Sequence, residues 1–368
     1  MTLRIFNPEH DIALAANLSN FTAPHAGRQL RHDLGFLSAL WAQEGDIVLT
    51  DDVELAERSF LRLAHSAEKH LGVSLLRPNL RFAPSKPGVC SVQTQGVDPW
   101  GWDRALKARL HRVGVSDSVM PSDEQIDTIR QLSHRRTSAR LLPFLRCKGT
   151  VGEAFEFTTS DEVECLLKKH AHLVLKAPWS SSGRGLRFIH ETMEGNPHVQ
   201  GWLHNMLDAQ GSVMAEPYYN KVKDFGMEFE ALADGSVRYL GLSLFHTANG
   251  AYAGNILATE SAKREMISRY VPDGLLDEVQ TEICRQLASV FKDQYAGPFG
   301  IDMMIVRSGE TAREDFLLHP CVEINLRRTM GHVALALTPG DDDILSVMRI
   351  SYAQGSYDLT LERLHSPL

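Results

Sequence analysis

The chain has 368 residues, 43% hydrophobic and 23% charged, with a formal net charge of −8. At about 150 residues per domain, that length holds two or three domains, with enough interior to need no cross-links. The acidic balance excludes a nucleic-acid partner gripped by clustered Lys and Arg. No run of about 18 apolar residues is free of charge, so no membrane span is expected. The five cysteines, Cys90, Cys147, Cys165, Cys284 and Cys321, are odd in number and lack CxxC spacing. That argues against zinc knuckles and a disulfide framework, and for reduced thiols in a cytoplasmic protein. The apolar opening is broken by Asn7, Pro8, Glu9, His10 and Asp11, which does not suit a secretory signal.

LRIF at 3–6 reads as a short buried strand. Leu30, Leu34, Leu37 and Trp41 follow at helical spacing. DIVL at 46–49 reads as a second strand, and Val53 to Leu63 as a second helix. Strand, helix, strand, helix is the pattern of a parallel α/β layer. The stretch 77–102 is rich in turn residues and receives no assignment. Ser122 is positioned to cap a helix holding Ile126, Ile129 and Leu132, and Pro143 limits a helix from Thr137 to Leu145. Thr159 and Glu162 have capping-box spacing, and Leu173 to Lys176 reads as a strand entering a Ser/Gly loop. From 212 to 257 the pattern is mostly strand. Asp273 is expected to cap a helix, followed by strands at 299–306 and 316–326. The expected units are a Rossmann-like domain at 1–122, a small lobe with a Ser/Gly flap at 123–215, and a large lobe with a metal site and C-terminal helices at 216–368.

The last strand alternates cleanly. Leu318, Pro320, Val322, Ile324 and Leu326 share one face, and His319, Cys321, Glu323, Asn325 and Arg327 the other. A half-exposed strand with a wet face is the plain reading. The sharper one is a site, since carboxylate and amide oxygens suit Mg²⁺ and Arg grips oxyanions bidentately. On the preceding strand, Asp302 shares a face with Gly300, Met304 and Val306, while Phe299, Ile301, Met303 and Ile305 point the other way. An acid there needs a partner or a cation. In a hairpin, Asp302 and Glu323 come close and repel unless a divalent ion neutralises them. Lys176 ends a strand ahead of Ser180, Ser181, Ser182, Gly183, Arg184 and Gly185. Such a loop suits polyphosphate, although a Ser/Gly turn without function is common. MAEPYYNKVKDFGMEFEA at 214–231 reads as strand, connector and strand, with connector amides able to read a flat heterocycle.

In this order, these pieces resemble the ATP-grasp superfamily over roughly residues 130–335. The resemblance implies an ATP-grasp fold of mixed α/β and α+β class, two lobes clamping ATP behind a Rossmann-like domain. It further implies that Lys176 binds phosphate and that SSSGRG is the flap, with Ser181, Ser182, Gly183, Arg184 and Gly185 over the phosphates. Glu216, Pro217 and Tyr218 would form the adenine-reading hinge, and Asp224 would meet the ribose. Asp302, Glu323 and Asn325 would hold Mg²⁺, with Mn²⁺ as an alternative ion, and Arg327 would contact phosphate or the acyl group. Arg135 or Arg136 would be the first phosphate-binding cation. The Ser-rich loop departs from the Gly-rich pattern, which leaves the acceptor open.

What the resemblance implies is an ATP-dependent ligase joining a carboxylate to an amine through an acylphosphate, with Arg327 and Lys176 offsetting transferred charge. A phosphotransferase on the same fold and a non-catalytic nucleotide binder are the alternatives. The acceptor walls are expected at His246, Tyr252 and Asn255 and at the early loop with Glu9 and His10. The expected partners are small carboxylate and amine substrates, without nucleic acid or membrane. Homodimers are common among such enzymes, so a homodimer is a compatible assembly.

Overall fold

The computed structural model describes residues 1–86, 94–180, 185–190, 192–193, 196–248, 251–308 and 315–364. Four strands form the N-terminal layer: Thr2–Ile5 (β1), Ile47–Thr50 (β2), Arg81–Pro84 (β3) and Gly96–Pro99 (β4). All pairings are parallel, in the order β3-β2-β1-β4. The helix Val53–Leu71 joins β2 to β3, its N-terminus capped by Asp52. Two strands, β3 and β4, come from the turn-rich stretch that periodicity alone left unassigned. Their four residues each are too short and too exposed to show alternation.

A second, antiparallel sheet, the small-lobe sheet of the expected division, holds Phe155–Phe157 (β5), His172–Lys176 (β6), Leu186–His190 (β7) and Val213–Pro217 (β8), ordered β5-β8-β6-β7. The cap expected at Ser122 forms, as a full capping box with Gln125, and the capping box expected at Thr159 with Glu162 forms too. Then come Lys221–Ala231 (β9), Val237–Ser243 (β10), Phe245–Ala248 (β11), Ala251–Leu257 (β12), Gly297–Ser308 (β13) and Asp315–Asn325 (β14). The chain closes through Ser346–Ala353 (β15) and Ser356–Arg363 (β16). These make two more sheets, β10-β9-β13-β14 and β11-β12-β15-β16.

Two expectations change here. Asp273 is the first residue of its helix, and Pro272 occupies the cap with no side-chain hydrogen bond. The C-terminal segment, expected as helices, has one short helix, Met330–Ala336, and then the β15–β16 hairpin. That hairpin is held because its Met348, Leu359 and Leu361 join Phe6, Leu37 and Phe60 of the N-terminal layer in one core.

The largest core lies under β9, β13 and β14. Phe299, Ile301, Met303 and Ile305 project from one face of β13 onto Leu276, Val279, Ile283 and Leu287 of the helix Asp273–Phe291. Phe229 stacks on Phe299 at 5.2 Å, and Phe291 meets Phe299 edge-on at 5.1 Å. This apolar underside forces the polar residues of the same strands onto the opposite face. Phe229→Ala should cost about 3–5 kcal/mol, as truncating a buried aromatic does. Urea unfolding at constant m-value checks it.

Candidate functional site

The polar face is set by register. Asp302 lies opposite Glu323 and Gly226, and Gly300 opposite Asn325 and Glu228. Residues two apart share a face, so Asp302, Glu323, Asn325, Glu228 and Asp224 line one side of the sheet. Glu228 is 3% exposed. It takes the room left by two glycines, since a Cβ on Gly300 or Gly331 would collide with its carboxylate. Thr329 Oγ1 donates to Glu228 Oε2 at 2.8 Å, and His332 Nδ1 lies 3.0 Å from the same oxygen.

Burial, with Glu323 and Glu228 adding repulsion, pushes the Asp302 carboxyl up to about 7. Positive charge stands around this crowd. Arg135 Nη1 pairs with Glu323 Oε2 at 2.8 Å. The same guanidinium donates to Ala177 O at 3.1 Å and Ser180 Oγ at 3.3 Å, linking the loop after β6 to β14. Arg136 turns away, to Glu156 of β5 at 2.8 Å and to the His134 ring. Of the two arginines left open by sequence, only Arg135 faces the carboxylates. Arg327 donates twice to Asp11, both at 2.7 Å, and to Asn325 Oδ1 at 3.0 Å. Burial would raise the Asp11 carboxyl, yet Arg327 holds it below the usual carboxylate range.

On the β5-β8-β6-β7 sheet, Lys176 Nζ lies 2.5 Å from Glu216 Oε2, and both side chains are buried. Pro217 pairs with Leu173, and the Tyr218 ring is exposed against Phe188. Asp224 is met by Lys221 Nζ at 2.5 Å and Thr247 Oγ1 at 3.3 Å. Gly185 O accepts from Ala177 N at 2.8 Å, closing the loop at its base. A Cβ on Gly185 would sit 2.5 Å from Ser180 Cβ, so the close approach requires glycine. Ser181, Ser182, Gly183 and Arg184 lie outside the described residues. A cleft is lined by Asp11, Ser133, Trp179, Ser180, Glu323 and Asn325. His319, on β14, is fully buried, and neither ring nitrogen has a hydrogen-bond partner. Burial, with Lys176 adding to it, pushes its imidazole down to about 3, so it is neutral.

The expected acceptor residues are not gathered in one place. Glu9 pairs with Arg31, and His10 lies 3.5 Å from Asp103. His246 lines a separate depression with Lys223, Met266, Arg269 and Tyr270. Tyr252 donates to Asn255 Oδ1 at 2.5 Å, and Asn255 donates to Ser243 Oγ at 2.9 Å. Asn255 is 0% exposed, so its side chain serves this interior network and not an open wall. Glu228, His319 and Asp11 were not singled out from sequence. For Glu228 a signal existed, as Asp224, Gly226 and Glu228 share one strand face. Asp11 meets Arg327 across 316 positions, a contact without local trace.

Among the described residues, no three His, Cys, Asp or Glu side chains form a ready-made metal cluster. The expected set has two carboxylates and one amide. Its hard oxygens, and the like-charge crowding at Asp302, nonetheless fit Mg²⁺, because a divalent ion relieves that repulsion.

No protein-family model matches the sequence, and a search of curated proteins finds no match. Among solved structures, biotin carboxylase from Campylobacter jejuni, in complex with β-γ-ATP, is 10% identical at a TM-score of 0.52, covering 95% of this chain and 75% of that one. An L-amino acid ligase from Bacillus licheniformis is 12% identical at a TM-score of 0.48, covering 96% and 81%. N5-carboxyaminoimidazole synthetase from Staphylococcus aureus, complexed with ADP, is 12% identical at 0.46, covering 95% and 82%. At such identities the likeness is one of fold.

A pH dependence follows from Asp302. Its folded-state pKa lies above the ordinary value of 3.8, so the folded chain holds a proton that the unfolded chain releases. This contribution to stability is full below about pH 4 and is lost as pH rises through about 7. Asp302→Asn, a neutral mimic of the protonated acid, should therefore melt higher than the parent at about pH 8. The gap should narrow as pH falls, and thermal melts across pH in chelator check it.

Proposed function

We propose that this chain, which has the ATP-grasp fold, is an ATP- and Mg²⁺-dependent ligase that joins a carboxylate to an amine through an acylphosphate. The observation that carries the reading is the carboxylate face of β13 and β14, flanked by Arg135 and Arg327 and set across a cleft from the loop after Lys176.

Asp302, Glu323 and Asn325 would hold the ion, and Mn²⁺ has the same hard-oxygen preference. When bound there, Mg²⁺ offsets charge on the phosphate oxygens. Lys176 would bind phosphate, exchanging part of its contact with Glu216 for it. Arg135 ties the loop to Glu323 and so keeps phosphate and metal groups in register. Arg327 donates two bonds to Asp11, which orients its guanidinium, and it would contact phosphate or the acyl group in partial exchange for that contact. Glu216, Pro217 and Tyr218 would border the adenine and Asp224 the ribose, while Ser181, Ser182, Gly183, Arg184 and Gly185 would cover the phosphates. That cover matters because water would hydrolyse an acylphosphate. The cytoplasm is the proposed location. Among the described residues no helix is long and apolar enough to cross a membrane.

Lys176→Ala should raise the KM for ATP by roughly ten- to a hundredfold, as loss of a charged hydrogen bond does. Glu323→Gln should mainly lower kcat. ADP release from ATP·Mg²⁺ across a matrix of carboxylates and amines, including amino acids and short peptides, tests the reaction. Release of ADP and phosphate only with both acceptors present supports a ligase. A stable phosphorylated acceptor would make it a phosphotransferase, and unchanged kinetics in both variants would remove the site.

A further inference from the structure

The side of β9 turned away from the carboxylates carries a polar feature that the reaction above does not use. Lys223 adjoins Asp224 on the strand, so their side chains leave opposite faces of the sheet. Asp224 is on the carboxylate side. Lys223 stands opposite Ile305, whose side chain enters the large core beneath. At the edge of that core Lys223 lines a depression together with His246 of β11 and Arg269, which ends the helix Glu260–Ser268. Ile256, Met266 and Leu345 supply its apolar walls, and all three belong to the large core or pack against it.

Three nitrogen-bearing side chains from three elements thus meet in one concavity, and among the described residues no carboxylate lines it. The neighbouring Arg264, on the same helix, is paired with Asp273 and Asp277 at 2.9 Å each. Lys223 and Arg269, among the described residues, have no such partner. The Nε2 of His246 is buried without a hydrogen-bond partner. Burial, with Arg269 adding repulsion, lowers the Lys223 ammonium from its ordinary value, and burial with Lys223 and then Arg349 does the same to His246. An anion is the group that would relieve these costs together.

We infer that this depression is a binding site for a small oxyanion of the phosphate type, on the opposite side of the sheet from the metal and triphosphate groups. Arg269 presents a planar fork that can grip two oxygens, and Lys223 adds a point charge. His246, in the tautomer that carries its proton on Nε2, donates a third bond. The apolar walls strengthen each of these contacts by keeping water away. A free phosphate ion and the phosphate group of an organic molecule share this chemistry. Arg269 is exposed, so the remainder of a larger ligand has an outlet to solvent. The site stands on its own and does not require the ligase reading.

The full chain is first saturated with a non-hydrolysable ATP analogue and Mg²⁺, which fills the triphosphate site. Inorganic phosphate and methyl phosphate are then titrated separately by calorimetry. At least one should bind saturably, and Arg269→Gln and Lys223→Gln should each weaken it by about tenfold or more. Arg269→Gln should leave the affinity for the analogue unchanged. Because Arg269 is exposed, its replacement keeps the fold and keeps the test decisive if Lys223→Gln does not fold. Binding of inorganic phosphate alone identifies the free ion as ligand, and binding of methyl phosphate identifies a phosphate carried on an organic molecule. Absence of saturable binding by either overturns the site, as does binding that Arg269→Gln leaves at full strength. Failure of the ligase reading would appear instead as an inactive acceptor matrix with this ion binding intact.

Discussion

The structure turns on a repulsion. Asp302 and Glu323 face each other across β13 and β14, with Glu228 on the next strand, because the apolar residues between them must face the core beneath. No local rearrangement separates them without turning Phe299, Ile301 and Met303 to the solvent side. The chain answers with fixed countercharges. Arg135 reaches Glu323 from a segment preceding the small-lobe sheet, and Arg327 is braced by Asp11 of the N-terminal layer. The N-terminal layer and the segment that carries Arg135 are thus tied to one patch of negative charge, and carboxylates crowded in that way repel each other unless countercharge relieves them.

Glycine shapes this patch as much as charge does. Gly300 and Gly331 leave the volume that the Glu228 carboxylate occupies, and Thr329 and His332 hold it there. A separate network joins Ser243, Asn255 and Tyr252 in the interior.

How much was legible in the sequence depended on the range of each contact. Alternation is local, so the faces of β13 and the Asp302–Glu323 pairing could be read from residue order, but on β14 a bulge between Glu323 and His319 breaks the expected alternation, and Cys321, expected on the polar face, joins the core. The cap at Ser122 and the capping box at Thr159 are equally local. Arg135 could not be told from Arg136, since neighbours on a tight turn differ only in what tertiary structure sets before them. Asp11 was hidden because its partner lies at the far end of the chain. The β15–β16 hairpin was missed for a related reason: its apolar residues are completed by the N-terminal core, not by their own neighbours. The resemblance to ATP-grasp proteins came from motif order over roughly residues 130–335, and the fold is shared with biotin carboxylase over 95% of the chain.

The central claim is that oxygens of two adjacent strands hold a divalent ion with the nucleotide. Electron paramagnetic resonance of Mn²⁺ titrated into the chain with ADP addresses it without any acceptor. The account predicts ADP-dependent Mn²⁺ binding that Asp302→Asn and Glu323→Gln each weaken by about tenfold or more. Binding of equal strength in the parent and in both variants would contradict it.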